Sequence, residues 1–469
     1  MTDHPTREAL DRYVRGGLSK AEAEAITAHL EEDLCIQCIF LARELSAEAD
    51  PEIQEHWQRF VRSVTRGLKE EALSEAEGAK VEDEAMLLAD RRHHVINPER
   101  GLAAGFLAEI EPRSLAARRD VIRAGQRYQL LGLAEHLCEE SRKAGFRDPV
   151  RALELAELAI AVAEKLDPRL YSAKIAFEQQ AMGHACRGNA LRIAGDLLAS
   201  EHAFQECLLL VEKGPIASPP HYEILSLLGS LRIDQCQYRE ARRVLRRALQ
   251  GFQGFTGYEV DAAKVLIQLA NVEAYDGRPR EAIEIFEHAV AILQEADEPR
   301  LLAWVHHNIS YCMVEAGEAL EALARYEQGR SLYEEHFREP YHRLRRRWLE
   351  GRIYAGLGDF DLARDALEEV RQTAAERELP YDLAMVSLEL AIVYLRRQEP
   401  ARVQDLAEEM TLVFLSQDLH RHALGAMYLF RQAARTQTAT IGLLEEIVTY
   451  LRRARNNPFL RFEPSARWG

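Results

Sequence analysis

The sequence has few of the residues that build β-rich or membrane-spanning proteins. Aromatic side chains make up 7% of the 469 residues, and Gly and Pro number only 26 and 16. Strands favour aromatic and β-branched residues, so we do not expect a large β domain. No run of 18 apolar residues occurs, and no apolar run follows a basic N-terminal stretch. We therefore expect neither a membrane span nor a signal peptide.

Cysteine is sparse and irregularly placed. The seven cysteines are an odd number, and five of them stand singly within helical patterns. Such a set is typical of a reduced, intracellular protein and not of a disulfide framework. We therefore expect a cytoplasmic location. The exceptions are Cys35 and Cys38, which lie three residues apart.

The short motifs of common catalytic chemistry are missing. The chain has no Gly-rich phosphate loop, no Gly-x-Ser-x-Gly elbow and no His-Glu-x-x-His. His93 and His94 precede Pro98 without a paired ligand, and the other paired histidines lack a Cys or carboxylate at metal-ligand spacing. We therefore expect that the protein is not an enzyme.

The charge is strongly of one sign. The net charge is −16, from 76 acidic and 60 basic residues. A surface of this sign repels nucleic acid and anionic membranes, so we expect neither as a partner. One stretch, HRLRRRW at residues 342–348, is locally basic. An isolated basic patch on an acidic protein is weak evidence for nucleic-acid binding.

A repeat runs through most of the chain. Six segments each begin with a small residue, reach a short turn and continue into a second helix: 188–208, 229–249, 270–290, 310–330, 351–371 and 391–411. An early position of the second helix recurs every 40 or 41 residues: Ser200, Ala241, Ala282, Ala322, Ala363 and Val403. In the first five a large residue follows four positions later: Phe204, Leu245, Phe286, Tyr326 and Leu367. Small residues let two helices cross closely, and the large residue fills the neighbouring groove.

This pattern resembles the tetratricopeptide repeat (TPR), although its period exceeds the usual 34 residues. We therefore predict an all-α protein with a right-handed, TPR-like α-solenoid of about eight helix pairs over residues 109–456. We place the first pair over 115–166, with Pro149 at the start of its second helix, and a C-terminal tail over 457–469. One helix pair cannot bury its apolar face alone, whereas stacked pairs can.

The N-terminal 46 residues form a different pattern. Gly16 and Gly17 end a first helix, and Ser19 with Glu22 predicts a capping box at the start of the next. The segment YVRGGLSKAEAEAITAHLEEDLCIQC resembles the zinc-binding anti-sigma domain. That resemblance implies a small helical domain over residues 1–46 that engages a sigma factor or another transcription partner.

The same resemblance implies a zinc site formed by His29, Cys35 and Cys38, with His4 as the fourth tetrahedral ligand. Five residues separate His29 from Cys35, whereas the family has three, so a local loop at 31–34 is needed to bring them together. The alternative is an apolar helical face in which both cysteines are core residues.

Residues 47–108 are predicted to be a helical linker. Apolar residues recur at helical spacing within 50–70, on a face formed by Ile53, Trp57, Phe60, Val61, Val64 and Leu68. This face either docks a partner or packs on the N-terminal domain.

In the TPR family the first helix of each pair lines a concave groove that binds peptides. Carrying that register over predicts a polar and aromatic partner-binding set: Lys264, Gln268, Asn271, Tyr275, Trp304, His307, Asn308, Tyr311, Arg345, Trp348 and Arg352. Arg and Asn suit the carboxylates and backbone of an extended segment, and Trp and Tyr give rigid contact area. The alternative is that Trp304 and Trp348 belong to the core.

The function hypothesis is a regulatory protein that binds a protein or peptide in its groove. Two alternatives remain open at this stage. In the first alternative, the solenoid is a receptor for a peptide or small-molecule signal. In the second, it is an assembly scaffold for an enzyme or defence complex.

Overall fold

The computed structural model describes residues 5–14, 18, 19, 22, 26, 97–145, 147–214, 217–416, 421–454 and 460–463. It divides into two compact units, Met1–His94 and Val95–Gly469. The predicted domain boundaries at residues 46, 108 and 456 stay predictions.

Within the first unit, helix α1 spans Arg7–Val14. The predicted capping box is present. The Ser19 backbone N–H donates to a Glu22 carboxylate oxygen at 3.0 Å, and the Glu22 N–H donates to Ser19 Oγ at 3.4 Å. The proposed zinc ligands His4, His29, Cys35 and Cys38 lie outside the described residues. So does the apolar face of 50–70, which comprises Ile53, Trp57, Phe60, Val61, Val64 and Leu68.

In the residues that the structure describes, the second unit contains helices and connecting segments and no strand. In chain order its helices are α2 (Asn97–Ile110), α3 (Leu115–Ala124), α4 (Leu131–Ala144), α5 (Pro149–Ala163), α6 (Pro168–Tyr171), α7 (Ala173–Ile193), α8 (Leu197–Val211), α9 (Pro219–Asp234), α10 (Tyr238–Gln253), α11 (Glu259–Tyr275), α12 (Pro279–Glu295), α13 (Pro299–Glu315), α14 (Ala319–Gln328), α15 (Arg330–His336), α16 (Pro340–Leu357), α17 (Phe360–Glu376), α18 (Pro380–Arg396), α19 (Pro400–Ser416), α20 (Arg421–Arg435) and α21 (Ile441–Ala454). A 3₁₀ turn at Gln126–Tyr128 follows α3.

These helices form the predicted solenoid of eight pairs. The pairs are α4–α5, α7–α8, α9–α10, α11–α12, α13–α14, α16–α17, α18–α19 and α20–α21. The predicted position of the first pair, 115–166, was wrong at its start. Residues 115–124 form the separate helix α3, which Ser114 caps by accepting the Ala117 N–H, and the first pair begins at Leu131.

Close packing within the pairs follows the predicted small-and-large pattern. The small residues Ala241, Ala282 and Ala322 and the large residue Phe286 are fully or almost fully buried. Each repeat begins with a small residue, and in some repeats this residue must be glycine because a side chain would clash with the neighbouring helix. A Cβ at Gly229 would lie only 2.4 Å from Leu245 Cδ2. The prediction that small residues permit close helix crossing is confirmed.

Every turn from the first to the second helix of pairs two to eight contains one left-handed residue. Four are glycines with φ between +79° and +87°: Gly195, Gly277, Gly317 and Gly358. Three are not glycine and have φ between +55° and +59°: Cys236, Gln398 and Gln437. In all seven of these turns the next N–H donates back to a carbonyl five residues earlier, as Arg278 does to Glu273 at 2.9 Å. These turns are Schellman motifs, which end a helix sharply and set the angle of the next one.

Two features of the second unit depart from a plain repeat. Arg147, in the turn before α5, forms an ion pair of 2.8 Å with Glu339, 192 residues further along the chain. The last helix, α21, packs mainly on α18 and less on its pair partner α20. Its buried residues Leu444, Ile447 and Leu451 belong to the same core cluster as residues of α18.

Candidate partner-binding groove

The surface formed by the first helices of pairs three to seven (α9, α11, α13, α16 and α18) is called the first-helix groove here. Tyr275, the last residue of α11, belongs to this surface. Its side chain is 48% exposed. Partial desolvation by the surrounding protein raises the pKa of its phenol, and the neighbours that act on it include Arg345, Tyr311 and Asp234, which come from three other first helices. Tyr275 is therefore an exposed aromatic ring near charged and phenolic groups of three other first helices.

Four further predicted residues are accessible in the groove. The Lys264 side chain is 53% exposed and pairs with Asp261 at 3.0 Å, one turn earlier in α11. Asn271, Asn308 and Arg345 are half-buried. These side chains offer amide, ammonium and guanidinium groups to an extended segment.

Gln268 instead joins two repeats. Its Nε2 donates to Ser230 Oγ at 2.7 Å and to the Ser226 carbonyl at 3.1 Å, while Ser226 Oγ donates to its Oε1 at 2.7 Å. Its amide therefore fixes α11 against α9.

Trp304 and His307 form an aromatic cluster with α15 and the start of α16. Trp304 lies 4.8 Å from Phe337 and 5.1 Å from His342 between ring centroids. His307 is 2% exposed, and burial, aided by the nearby Arg345, lowers its pKa to about 3. Its imidazole is therefore neutral at physiological pH. This cluster matches the core alternative for Trp304 that the sequence left open.

The remaining predicted residues form a charged cluster around one tyrosine. The Arg352 guanidinium stands 4.3 Å from the centroid of the Tyr311 ring. It pairs with Glu315 on α13 and lies 3.5 Å from Glu389 on α18. Trp348, which is buried, donates its indole N–H to Glu389 at 2.6 Å. Burial alone would raise the pKa of Glu315, but Arg352 and the further residue Arg452 hold it below its usual value.

Arg452 reaches this cluster from the last helix, α21. Its guanidinium lies 5.5 Å from the Tyr311 ring centroid, 3.5 Å from Glu315 and 3.7 Å from Glu389. Sequence reasoning missed Arg452, Glu315 and Glu389. Glu315 stands four residues after Tyr311 on the same helical face, which was an available signal. Nothing in the local pattern of α21 indicates that it returns to α13.

The next residue of α21 touches another repeat. Burial would lower the pKa of Arg453, but the adjacent Cys236 and Tyr238 raise it above its usual value. Cys236 and Tyr238 belong to the turn and helix that follow α9. The end of α21 therefore touches residues of the third, fifth and seventh pairs together.

Other kinds of site find little support in the described part of the chain. No three His, Cys, Asp or Glu side chains converge there as metal ligands. Among the same residues, no helix combines the length and apolarity needed to cross a membrane. Cys138, Cys186, Cys207, Cys236 and Cys312 are free thiols.

One part of the chain matches a known repeat family. Residues 261–335, from α11 to α15, match the family model described as tetratricopeptide repeat. No protein of curated function matches the chain in sequence.

Three solved structures are similar to parts of this chain. Aspartyl phosphate phosphatase F from Bacillus subtilis is 14% identical, with a TM-score of 0.49 over 75% of this chain and 96% of its own. A Rap protein in complex with competence and sporulation factor is 16% identical, with a TM-score of 0.42 over 72% of this chain and 99% of its own. A signal-transduction ATPase with a tetratricopeptide repeat sensor, from Pyrococcus horikoshii, is 14% identical, with a TM-score of 0.43 over 73% and 53% of the two chains.

Proposed function

We propose that this protein is a non-catalytic regulator that binds a segment of a partner protein or a peptide in the first-helix groove. The observation that carries the proposal is the surface around Tyr275. Three other first helices bring Asp234, Tyr311 and Arg345 near Tyr275, and the Tyr275 ring remains half exposed.

The chemistry of this surface suits a polypeptide better than a small substrate. It presents separate cationic, amide and aromatic groups along several repeats. Such a row matches the spacing of side chains on an extended or helical segment, and exposed Tyr and Arg are typical of binding hot spots. The reacting constellations of enzymes instead bring a nucleophile and a base within hydrogen-bond reach.

A pair of charge reversals tests the proposal. Arg345→Glu changes the groove, and Arg243→Glu makes the same change on α10, the second helix of its pair, where the Arg243 side chain is 75% exposed. Full-length chains are used to co-purify partners from the source cells, and mass spectrometry identifies them. The main partner is then titrated against each chain by calorimetry.

We expect Arg345→Glu to weaken partner binding at least about tenfold, which corresponds to about 1.4 kcal/mol. Arg243→Glu should leave the affinity unchanged. Equal affinities for the two variants would reject the groove as the binding surface. Circular dichroism and thermal midpoints of both variants show whether a loss reflects binding or folding.

We propose in addition that the N-terminal unit engages a sigma factor or another transcription partner and holds zinc through His29, Cys35, Cys38 and His4. This proposal is supported by the sequence resemblance alone. The purified full-length chain should contain one zinc ion, and the double variant Cys35→Ser, Cys38→Ser should contain none. Cys236→Ser is the matched control. Absence of zinc from the unmodified chain would contradict the metal site.

A further inference from the structure

We infer that Tyr311, Glu315 and Glu389 form a receptor for an arginine side chain of the partner, and that Arg452 of α21 occupies this receptor until the partner arrives. This inference rests on the proposed function, because it assigns a ligand class and a means of regulation to the first-helix groove.

The geometry is that of a guanidinium site. One aromatic face and two carboxylates surround the space that the Arg452 side chain enters, at 5.5 Å from the ring centroid and 3.5 and 3.7 Å from the carboxylate oxygens. Planar guanidinium groups stack on aromatic rings and match carboxylates better than ammonium groups do. The Arg352 guanidinium also lies against this ring, 4.3 Å from its centroid.

Two cationic side chains are needed to balance the two carboxylates beside Tyr311. Glu315 and Glu389 supply two negative charges, and Arg352 supplies one positive charge that is only 13% exposed. When Arg452 leaves, a net negative charge remains beside Tyr311. The two carboxylates then attract another cation, and the overall charge of −16 steers basic segments toward the protein.

Arg452 is held loosely enough to exchange. Its distances to the two carboxylates exceed the 2.7–2.9 Å of a direct charge-assisted hydrogen bond, and its side chain is 26% exposed. Helix α21 is anchored separately by its apolar residues on α18. The arginine therefore swings out by side-chain rotation while the helix stays docked.

A hydrogen-bond donor is also free at the site. Within the described part of the chain, Nη1 of Arg352 is shielded from solvent and has no hydrogen-bond partner. Buried donors are normally paired, and an unpaired one costs stability. A carbonyl of an incoming segment supplies the missing acceptor. The Arg452 side chain has no acceptor, so its presence leaves this donor unsatisfied.

The probe is a fluorescein-labelled peptide, Gly-Gly-Tyr-Leu-Arg-Arg-Ala-Gly-Gly, which copies residues 450–454 between glycines. Matched peptides carry Lys-Lys or Gln-Gln in place of Arg-Arg. Anisotropy titrations at physiological salt use the full-length chain, Arg452→Gln, and the control Arg435→Gln on α20, where the arginine side chain is 59% exposed.

We expect the Arg peptide to bind Arg452→Gln about tenfold more tightly than the unmodified chain, as when a resident group occupies nine sites in ten. Arg435→Gln should behave like the unmodified chain. The Lys peptide should bind more weakly than the Arg peptide, and the Gln peptide least. Adding Glu315→Gln to Arg452→Gln should abolish the gain.

Equal affinity of the Arg peptide for the unmodified chain and Arg452→Gln would overturn the occupancy by Arg452. Equal binding of the Arg and Lys peptides, or no binding to any chain, would overturn the arginine receptor. Arg452→Lys provides a second variant that retains the charge, and it should give an intermediate affinity. Partner capture that depends on Arg345 would still stand if these titrations failed, so the two proposals fail separately.

Discussion

The left-handed turns offer a reciprocal test of how the repeat is built. Gly277 and Gln398 occupy the same turn position in the fourth and seventh pairs, with φ of +80° and +59°. A Cβ at Gly277 would meet nothing within 4 Å, and Gln398 is exposed. Exchanging the two residue types, as Gly277→Gln and Gln398→Gly, therefore changes backbone strain with little change in packing.

Two opposing effects set the magnitude. A non-glycine residue in the left-handed region costs about 1–2 kcal/mol. Glycine loses more conformational entropy on folding, which offsets about 0.4–1 kcal/mol. The net expectation is that Gly277→Gln destabilises the fold by about 1 kcal/mol and Gln398→Gly stabilises it by a similar amount.

Hydrogen exchange monitored by mass spectrometry suits this test, because long repeat arrays need not unfold in one step. In Gly277→Gln, the peptide that covers the turn after α11 should exchange faster than in the unmodified chain. In Gln398→Gly, the peptide that covers the turn after α18 should exchange more slowly. The double variant should return close to the unmodified chain in a global urea titration. Shifts of the same sign in both single variants would refute backbone strain as the governing term.

Two further predictions concern buried groups. The folded-state pKa of His307, about 3, lies below its ordinary value of 6.5, so its contribution to stability is complete above pH 6.5 and is lost as the pH falls. The free energy of opening measured by exchange of α13 peptides should therefore fall by about 2 kcal/mol between pH 7.5 and 5. His307→Phe should remove this pH dependence, and the exposed control His288→Asn should keep it. An unchanged pH dependence in His307→Phe would contradict the argument. Gly132→Ala should destabilise the docking of α2 on α4 by about 1–3 kcal/mol, because its Cβ would lie 2.6 Å from the Arg100 backbone nitrogen. The control Gly105→Ala meets no atom within 4 Å and should stabilise α2 by about 0.5–1 kcal/mol in thermal unfolding. A Gly132→Ala variant as stable as the unmodified chain, or more stable, would refute the packing argument.

The fold was largely readable from the sequence because its main determinant is local and repeated. Positions such as Ala241 and Phe286 recur at nearly constant spacing, and each acts between neighbouring helices. The start of the array was not readable in the same way. Residues 115–124 have helical character without the close-packing pattern, so the first pair was placed one helix too early.

The groove was harder to predict because its composition depends on contacts between distant segments. Trp304 is in the expected register, but Phe337, the residue that follows α15, packs on it. The break between α14 and α15 at Gly329 leaves the repeat spacing almost unchanged, so periodicity does not reveal it. The place of Arg452 in the charged cluster could not be predicted for a similar reason, because its partners Glu315 and Glu389 lie 137 and 63 residues earlier in the chain.

The ion pair between Arg147 and Glu339 has a mechanical consequence. In a simple array each repeat contacts only its neighbours, so bending strain stays local. Here an exposed ion pair joins the first helix pair to the start of the sixth, and its two side chains are 69% and 50% exposed. An exposed ion pair of this kind is weak enough to open. The distance between fluorophores attached near these two residues would therefore report changes in the curvature of the intervening repeats.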